Sequence, residues 1–323
     1  MKVSVIIPVL NEAESIGELI ASLRLQSRPP DEIVITDGGS TDGTREIIRE
    51  FQRFLIVPSG YRIGDFVVPI HLIETNRAYP SEGRNLAIRK AKHDVLAFVD
   101  AGVRINHRWL EELLKPLEAD PSVDVVFGHY GPVQDTFFTK CAAMAYVEPP
   151  KQVGRLTIRT HAIFCSAMKK SVWKEVGGFP NYRAAEDRIF IERILAGPYQ
   201  VAYTYKAIAL LELRPTWRST VKRFSEYSRH NLRAGRARHW HLPLLKVYGT
   251  MMALLALSVF HSPLWLVGVL AGGFYRVFKR TGCNSFVTIL TVAWILLSVE
   301  LATFHGWLTW VFADRCKRGE GRW

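Results

Sequence analysis

VSVIIPVLNEAESIGELIASL, Val3 to Leu23, decides the fold. Val3 to Pro8 is a nearly continuous apolar run, and Ile16, Leu19, Ile20 and Leu23 then recur at helical spacing. The stretch reads as a buried strand followed by an amphipathic helix. A strand this apolar belongs inside a sheet covered on both faces. It is too short for a secretory signal and runs directly into Asn11-Glu12-Ala13-Glu14. The same unit recurs downstream. Glu32–Thr36 precedes a helix near Thr44–Phe51, His71–Glu74 precedes Arg84–Ala91, and Val95–Val99 precedes Trp109, Leu110, Leu113, Leu114 and Leu117. Alternation of this kind specifies an α/β fold, a mostly parallel Rossmann-like sheet with helices on both faces.

Ligands of such sheets bind beyond the carboxyl ends of the strands, and the polar residues cluster there. Asn11 and Glu12 follow the first strand, Asp37-Gly-Gly-Ser-Thr-Asp-Gly-Thr44 the second, and Asp100-Ala-Gly102 the fourth. Each alone is a turn or a helix cap. Three carboxylate-bearing strand ends on one sheet edge indicate a polar, nucleotide-sized cleft. The connection Gln52–Pro69 exceeds the usual four to six residues and reads as a lid or a hairpin.

The order Pro8-Val-Leu-Asn11-Glu12, Asp37-Gly-Gly-Ser-Thr-Asp-Gly-Thr44, Gly83-Arg84-Asn85, Phe98-Val-Asp100-Ala, Gly177-Gly-Phe179 and Glu186-Asp187 resembles the family 2 glycosyltransferases of the GT-A fold. The resemblance covers Met1 to about Leu213. It implies inverting transfer of a sugar, of the hexosyl class, from a nucleotide-diphosphate donor. By that likeness Asp37 binds the base, Pro8, Leu10, Asn11, Glu12 and Ser40 shape its pocket, and Asp100 with Ala101 meets the ribose. Asp187 is the candidate catalytic base. Phe190, Ile191, Ile194 and Leu195 lie at +3, +4, +7 and +8 from it, which predicts that Asp187 opens the buried face of a helix while Glu186 is turned away. With an acceptor that is already an ionised phosphate, Asp187 orients it and removes no proton.

The family generally carries a D-x-D pair that helps hold a divalent cation, Mg²⁺ or Mn²⁺. Here the second position is Gly102, so Asp100 would hold the cation with water, and Arg104 and Arg84 are candidates to supply fixed positive charge at the diphosphate. Lys151, Arg155 and Arg159, spaced by four, are candidates for an acceptor phosphate or plain surface charges; His161 is left without a role.

The whole chain has 323 residues, 48% hydrophobic and 22% charged, which excludes a disordered or fibrous protein. Four sparse cysteines exclude a disulfide scaffold and point to a reducing compartment. Net charge is +12, unevenly placed. Arg214–Lys246 carries nine basic residues against Glu226, net +8, and Arg276–Trp323 carries seven against three, net +4, which leaves Met1–Leu213 neutral. Val247–Tyr275 contains no Asp, Glu, Lys or Arg, and Phe286–Phe312 only Glu300, which reads as a carboxylate near a membrane interface. A basic stretch abutting segments of membrane-spanning length favours an anionic membrane surface over nucleic acid. Trp217, Val221, Phe224 and Ser228 form a stripe of an interfacial helix, and Arg229, Arg233, Arg236 and Arg238 are assigned to the membrane or acceptor surface.

The expected organisation is a GT-A domain over 1–213, a basic juxtamembrane segment over 214–246, and a membrane region over 247–323 with hydrophobic segments at 247–275 and 286–312. Pro263 leaves two readings of the first segment, a simple span or a re-entrant hairpin. The membrane segments narrow the expected acceptor to a polyprenyl phosphate or a lipid-linked molecule, with the catalytic domain on the cytoplasmic side. A nucleotidyltransferase, or a degenerate glycosyltransferase fold serving as a membrane scaffold, are the competing readings.

Overall fold

The structure, a computed structural model, describes residues 1–53, 68–282 and 284–314. The chain forms two compact units, Met1–Pro132 with Pro149–Glu212, and Val133–Glu148 with the chain from Leu213 onward.

The first unit is built on an eight-stranded sheet. Strands β1 (Val3–Val9), β2 (Glu32–Asp37), β3 (Ile70–Glu74) and β4 (Val95–Phe98) are mutually parallel in the order β3-β2-β1-β4. Beyond β4 the sheet becomes mixed. Strand β9 (Ser166–Lys169) runs antiparallel to both β4 and β6 (Val123–Pro132), β10 (Gln200–Leu211) runs parallel to β6, and the short edge strand β5 (Val103–Ile105) closes on β10.

Strand β1 shows why the sequence folds this way. Val3, Val5, Ile7 and Val9 pack on one face with Ile16, Leu19, Ile20 and Leu23 of α1 (Ile16–Arg24), Ile48 of α2 (Thr44–Arg53) and Trp109 of α4 (Trp109–Ala119). Ile6 points to the other face, among Ala87 and Ile88 of α3 (Pro80–Lys90), Val172 of α6 (Lys170–Val176) and Phe190 of α7 (Glu186–Ala196). A strand that feeds two cores has no polar side, hence the unbroken apolar run. The connection expected as a lid or hairpin begins within α2, and its residues 54–67 lie outside the described residues.

The second unit is helical. Its helices are α5 (Phe137–Tyr146), α8 (Trp217–Arg233), α9 (Ala237–Trp240), α10 (Leu242–Phe260), α11 (Trp265–Thr281) and α12 (Phe286–Thr309), the last continuing as a wider turn to Asp314. Two sequence expectations are corrected here, and the break at Pro263, one of the two readings of the first hydrophobic segment, is present. Val133–Glu148, assigned to the first domain, joins this unit because Cys141, Ala142 and Ala145 of α5 pack on Val292, Ile295, Leu296 and Val299 of α12. The segment read as 247–275 is two helices, interrupted at His261–Leu264, where Pro263 cannot continue the hydrogen-bond ladder. The later part of the stripe expected on an interfacial helix faces protein, with Phe224 against Tyr146 and the Ser228 hydroxyl donating to the Thr303 carbonyl at 2.7 Å, while Trp217 stays 40% exposed.

Glu300, expected near a membrane interface, is 5% exposed. A carboxylate removed from water requires partners. It accepts from the Tyr248 hydroxyl at 2.5 Å and is ion-paired with Arg276, tying α10, α11 and α12 together. Two helices are long and apolar enough to cross a membrane, Leu242–Phe260, with no buried residue, and Phe286–Ala313.

Helices α8 and α12 approach closely at Gly306. A Cβ added there would overlap the Ser225 carbonyl oxygen and stand 2.8 Å from Ser228 Cβ. Gly306→Ala is therefore expected to lower the stability of this unit by about 2 kcal/mol or more through overpacking. Thermal unfolding in micelles checks this, with Gly249→Ala, where nothing lies within 4 Å of an added Cβ, as the control.

Candidate active site

The carboxyl ends of β1, β2 and β4 bring the marked residues together. Asp37 ends β2 and is fully buried. Its Oδ1 accepts from the backbone N–H of Gly39 and Ser40, both at 3.0 Å, and from Arg45 Nε at 2.6 Å. Burial opposes its ionisation, but hydrogen bonds from Ser40, Arg45 and Gly39 outweigh it and hold the carboxyl below the usual carboxylate range. Its second oxygen, Oδ2, is buried without a hydrogen-bond partner among the described residues. Gly39 permits the tight turn, because its φ is +105° and a Cβ would overlap the Asn76 carbonyl oxygen.

The loop after β1 is laced to this turn. The Asn11 N–H donates to Ser40 Oγ at 2.8 Å, the Thr41 N–H to Asn11 Oδ1 at 2.9 Å, and the Glu12 N–H to Thr44 Oγ1 at 2.9 Å. Asn11 is left-handed, with φ at 54°, a conformation Asn tolerates better than most residues. Leu10 beside it is exposed, and Pro8 backs onto Gly83, whose added Cβ would meet Pro8 Cβ at 3.4 Å.

Arg84 is the centre of charge. It is 3% exposed, its Nη2 donates to both oxygens of Asp100 at 2.7 and 2.9 Å, and its Nη1 donates to Glu186 at 3.0 Å. Its neighbour Asn85 holds the turn after α6, accepting from Trp173 Nε1 at 2.9 Å and the Phe179 N–H at 3.0 Å. Phe179 stacks on Phe190 of α7, with centroids 4.0 Å apart, so one motif fixes where α7 begins. That start is strained, since Ala185 has a φ of 72°.

The helix register corrects the sequence reading. Glu186 is buried at 5% exposure and Asp187 is half-buried, the reverse of the expectation. Glu186 shares its face with Phe190 and Ile194, at +4 and +8, and Arg84 neutralises it. Asp187 Oδ1 accepts from the Arg188 N–H at 2.7 Å.

One guanidinium faces three carboxylates. Burial works against the charge of Arg84, but Asp100, Glu186 and Asp187 outweigh it and hold the group protonated more firmly than a free arginine. Glu186 has the opposite balance. Burial raises its pKa, the Asp187 charge adds to this, and Arg84 only partly offsets them, so that it is pushed up to about 7. A raised carboxyl pKa means that the folded state binds the proton more tightly than the unfolded one. The associated stability is present below the ordinary value of 4.5 and is lost as pH rises through about 7. Between about pH 5 and pH 8, wild type is expected to lose on the order of 2 kcal/mol more stability than Glu186→Gln. Chemical denaturation across that range measures the difference in slope.

Residues 4–177, more than half of the chain, match Glycosyl transferase family 2. The chain belongs to this family. As a family 2 glycosyltransferase it is 27% identical over 317 residues to the glycosyltransferase AglE of Haloferax volcanii, covering 93% of this chain and 94% of that protein. It is 24% identical over 237 residues to the O-antigen chain rhamnosyltransferase RfbN of Salmonella typhimurium, covering 69% and 70%. Among solved structures, the mannosyltransferase PcManGT of Pyrobaculum calidifontis, in complex with GDP-Man and Mn²⁺, superposes with a TM-score of 0.53 at 21% identity, covering 96% of this chain and 87% of that one. TarS 1–349 of S. aureus in complex with UDP gives 0.51 at 18% identity, covering 96% and 91%. These likenesses fix the GT-A fold.

The family's divalent cation can be tested against the donor set. Gly102 has a φ of +75°, and a Cβ there would lie 3.5 Å from Glu12 Oε2. The Glu12 carboxylate, which accepts from the Ser15 hydroxyl at 2.8 Å, thus stands beside the place from which an aspartate at 102 would project. Among the described residues no group of three or more His, Cys, Asp or Glu forms a protein cage. Mg²⁺ usually takes one or two carboxylates together with substrate phosphates and water. Asp100 and Glu12 fit that mode of binding. Ala101, between Asp100 and Gly102, is half-buried against the core.

The two arginines expected to supply fixed charge at the diphosphate are both ion-paired. Arg84 is matched by Asp100 and Glu186, and Arg104, on β5, is paired with Glu212, just past the end of β10, at 2.9 Å. Lys151 opens and Arg159 directly follows the β7–β8 hairpin, formed by β7 (Lys151–Val153) and β8 (Leu156–Ile158). His161 is left-handed, with φ at 63°, and its Nε2 pairs with the Tyr203 hydroxyl at 2.9 Å. In the helical unit Arg236 is 9% exposed and does not belong to a surface patch, whereas Arg238 is exposed and Arg229 and Arg233 are half-buried.

Proposed function

We propose that this glycosyltransferase transfers a sugar from a nucleotide-diphosphate donor, with inversion, to a lipid-linked or polyprenyl-phosphate acceptor at the cytoplasmic membrane face. The observation that carries the donor reading is Asp37. A buried carboxylate oxygen without a donor is costly, and Oδ2 of Asp37 has none. In this reading a base N–H is the donor for Oδ2, an oxygen closed from solvent in the unliganded fold. The loop 10–13 then closes over the base, with Asn11, Glu12 and Ser40 already hydrogen-bonded into one wall.

In a single displacement the acceptor oxygen attacks the anomeric carbon while the bond to the nucleotide diphosphate breaks. Asp187 takes the proton of an acceptor hydroxyl, or orients an acceptor phosphate that is already ionised. Glu186 and Arg84 hold the start of α7, and hence Asp187, in place. Asp100 and Glu12 would hold Mg²⁺ or Mn²⁺, which supplies positive charge at the departing diphosphate.

The acceptor reading rests on the second unit. Helix α10 has no buried residue, and Val259, Phe260 and Leu264, around the break, are 77%, 88% and 77% exposed. An exposed apolar surface of that extent marks a membrane or partner surface, and helices of spanning length favour lipid. The basic segment before α10 and the last turn of α11, with Lys279 and Arg280, flank this apolar excursion as the positive-inside tendency favours.

Asp37→Asn tests the donor site. It can retain an oxygen for Gly39, Ser40 and Arg45 while placing an NH₂ where Oδ2 stood. Nucleotide-diphosphate affinity measured by calorimetry is expected to fall about tenfold or more, the cost of opposing two donors. Unchanged affinity removes Asp37 from the base pocket.

A further inference from the structure

Three residues other than glycine have a left-handed backbone among the described residues, Asn11, Ala185 and His161. Such conformations persist where the surroundings over-determine them, and they cluster at sites. Asn11 belongs to the loop after β1 and Ala185 opens α7, whereas His161 lies outside the site as described so far.

The sheet fixes where His161 stands. Strand β9 runs antiparallel to β4 with Ser166 opposite Phe98, so β9 enters at the edge where β4 leaves for Asp100. One turn of 3₁₀ helix, Ile163–Cys165, separates His161 from β9 and keeps it at that edge, past Asp100 in the order β1-β4-β9-β6-β10. The face is fixed too. The imidazole meets Phe127 of β6 edge-on, with centroids 5.3 Å apart, and Phe127 packs in the core that holds Phe190 and Ile191 of α7. Arg84 ties the start of α7 to Asp100, so His161 and Asp187 share both edge and face.

His161 is half-buried, and its Nε2 pairs with the hydroxyl of Tyr203 on β10, directly before an irregularity in the β6–β10 register. Its Nδ1 has no partner among the described residues and is not sealed from solvent. Burial, with the charges of Arg188 and Lys151, holds the imidazole below its ordinary value, so at neutral pH it carries a single ring proton. With the Tyr203 hydroxyl donating to Nε2, that proton is on Nδ1 and available to a ligand. A single displacement places the acceptor opposite the departing diphosphate. With the diphosphate held by Asp100 and Glu12, the acceptor falls to the part of the edge formed by β9, β6 and β10.

We propose that His161 is a specificity-determining residue for the acceptor, its Nδ1–H donating to an acceptor oxygen beside the one that attacks, and that Tyr203 is the positioning residue that holds the ring. The assignment rests on the reading of Asp187 as the group that meets the attacking oxygen. It does not depend on whether the acceptor is lipid-linked.

The test uses the full chain in membranes, the labelled UDP- or GDP-sugar from which wild type transfers, and a total lipid extract as acceptor, with UDP and GDP binding measured by calorimetry. His161→Gly suits the left-handed backbone and removes only the imidazole. It is expected to raise the apparent KM for the extract about tenfold, the scale of one hydrogen bond lost with its partner left unsatisfied. The bond is made in ground and transition states alike, so kcat and nucleotide affinity stay within about twofold of wild type. Tyr203→Phe keeps the ring in place and keeps the test open should the glycine variant not fold. It is expected to raise the same KM about threefold, and to add nothing in the double variant, because Tyr203 acts through His161. A pair that only packs the sheet would lower stability and leave this split unmoved. A wild-type KM in the folded His161→Gly variant, or equal losses in KM and nucleotide affinity, overturns the proposal. Should label move to a water-soluble acceptor instead, a raised KM for that acceptor supports His161 and sinks only the lipid reading. Wild-type turnover in Asp187→Asn beside a raised KM in His161→Gly removes Asp187 from the chemistry and leaves His161 in the acceptor site.

Discussion

Asp187→Asn is expected to lower sugar transfer at least about 100-fold, the lower scale for loss of a general base, while nucleotide affinity stays at the wild-type value. The residue sits in the first turn of α7, half-buried, with one carboxylate oxygen accepting from the Arg188 N–H at 2.7 Å. It is the member of the Glu186-Asp187 pair that remains accessible, since Glu186 is consumed by Arg84 at 3.0 Å. Asparagine keeps the shape and the oxygen that caps the Arg188 N–H, but it can neither take a proton nor carry charge. The loss should therefore appear in kcat with little change in donor binding. Turnover within about threefold of wild type, with the variant folded, would take Asp187 out of the chemistry.

Arg84→Ala carries the largest expected cost to the fold. A buried guanidinium between Asp100 and Glu186 cannot be removed without leaving two carboxylates in a poorly hydrated site, and breaking such a pair costs about 3–5 kcal/mol. Loss of Arg84 also releases Asp100 and frees the start of α7. The variant should thus lose donor affinity and transfer together, unlike Asp187→Asn. Arg84→Lys, which retains charge but not the fork that reaches two carboxylates at once, is expected to fall between the two. Denaturant unfolding gives the stability, and a loss below about 1 kcal/mol for Arg84→Ala would show that water or rearranged side chains replace the guanidinium.

The parallel half of the sheet was legible because β1 to β4 are covered on both faces, and coverage writes itself into sequence as unbroken apolar runs. The strand ends were legible for the same reason, since their polar residues interrupt those runs abruptly. The order of burial at the start of α7 was not. Two adjacent residues fit nearly the same helical spacing, and the choice between them is made by Arg84, 102 residues away from Glu186, and by the left-handed Ala185. Neither is visible in a periodicity. In the helical unit, Pro263 marked the break correctly, but the stripe on α8 was taken for a lipid-facing surface. Amphipathicity records that one face is apolar and not what covers it, and here α5 and α12 cover Phe224 and Ser228 while Trp217 stays largely exposed. Gly306 shows the converse. In sequence it is a weak helix residue, and in the fold it is the point where two backbones meet.

The most direct test of the account combines the full chain, in membranes, with a set of sugar-labelled nucleotide diphosphates and extracted polyprenyl phosphates and lipid-linked acceptors. The account predicts that label from one donor moves into the organic phase as a lipid-linked sugar of inverted anomeric configuration, with nucleoside diphosphate released in equal amount and Asp187→Asn silent in the same assay. Release of pyrophosphate with transfer of the nucleotidyl group, or turnover confined to water-soluble acceptors, would contradict it.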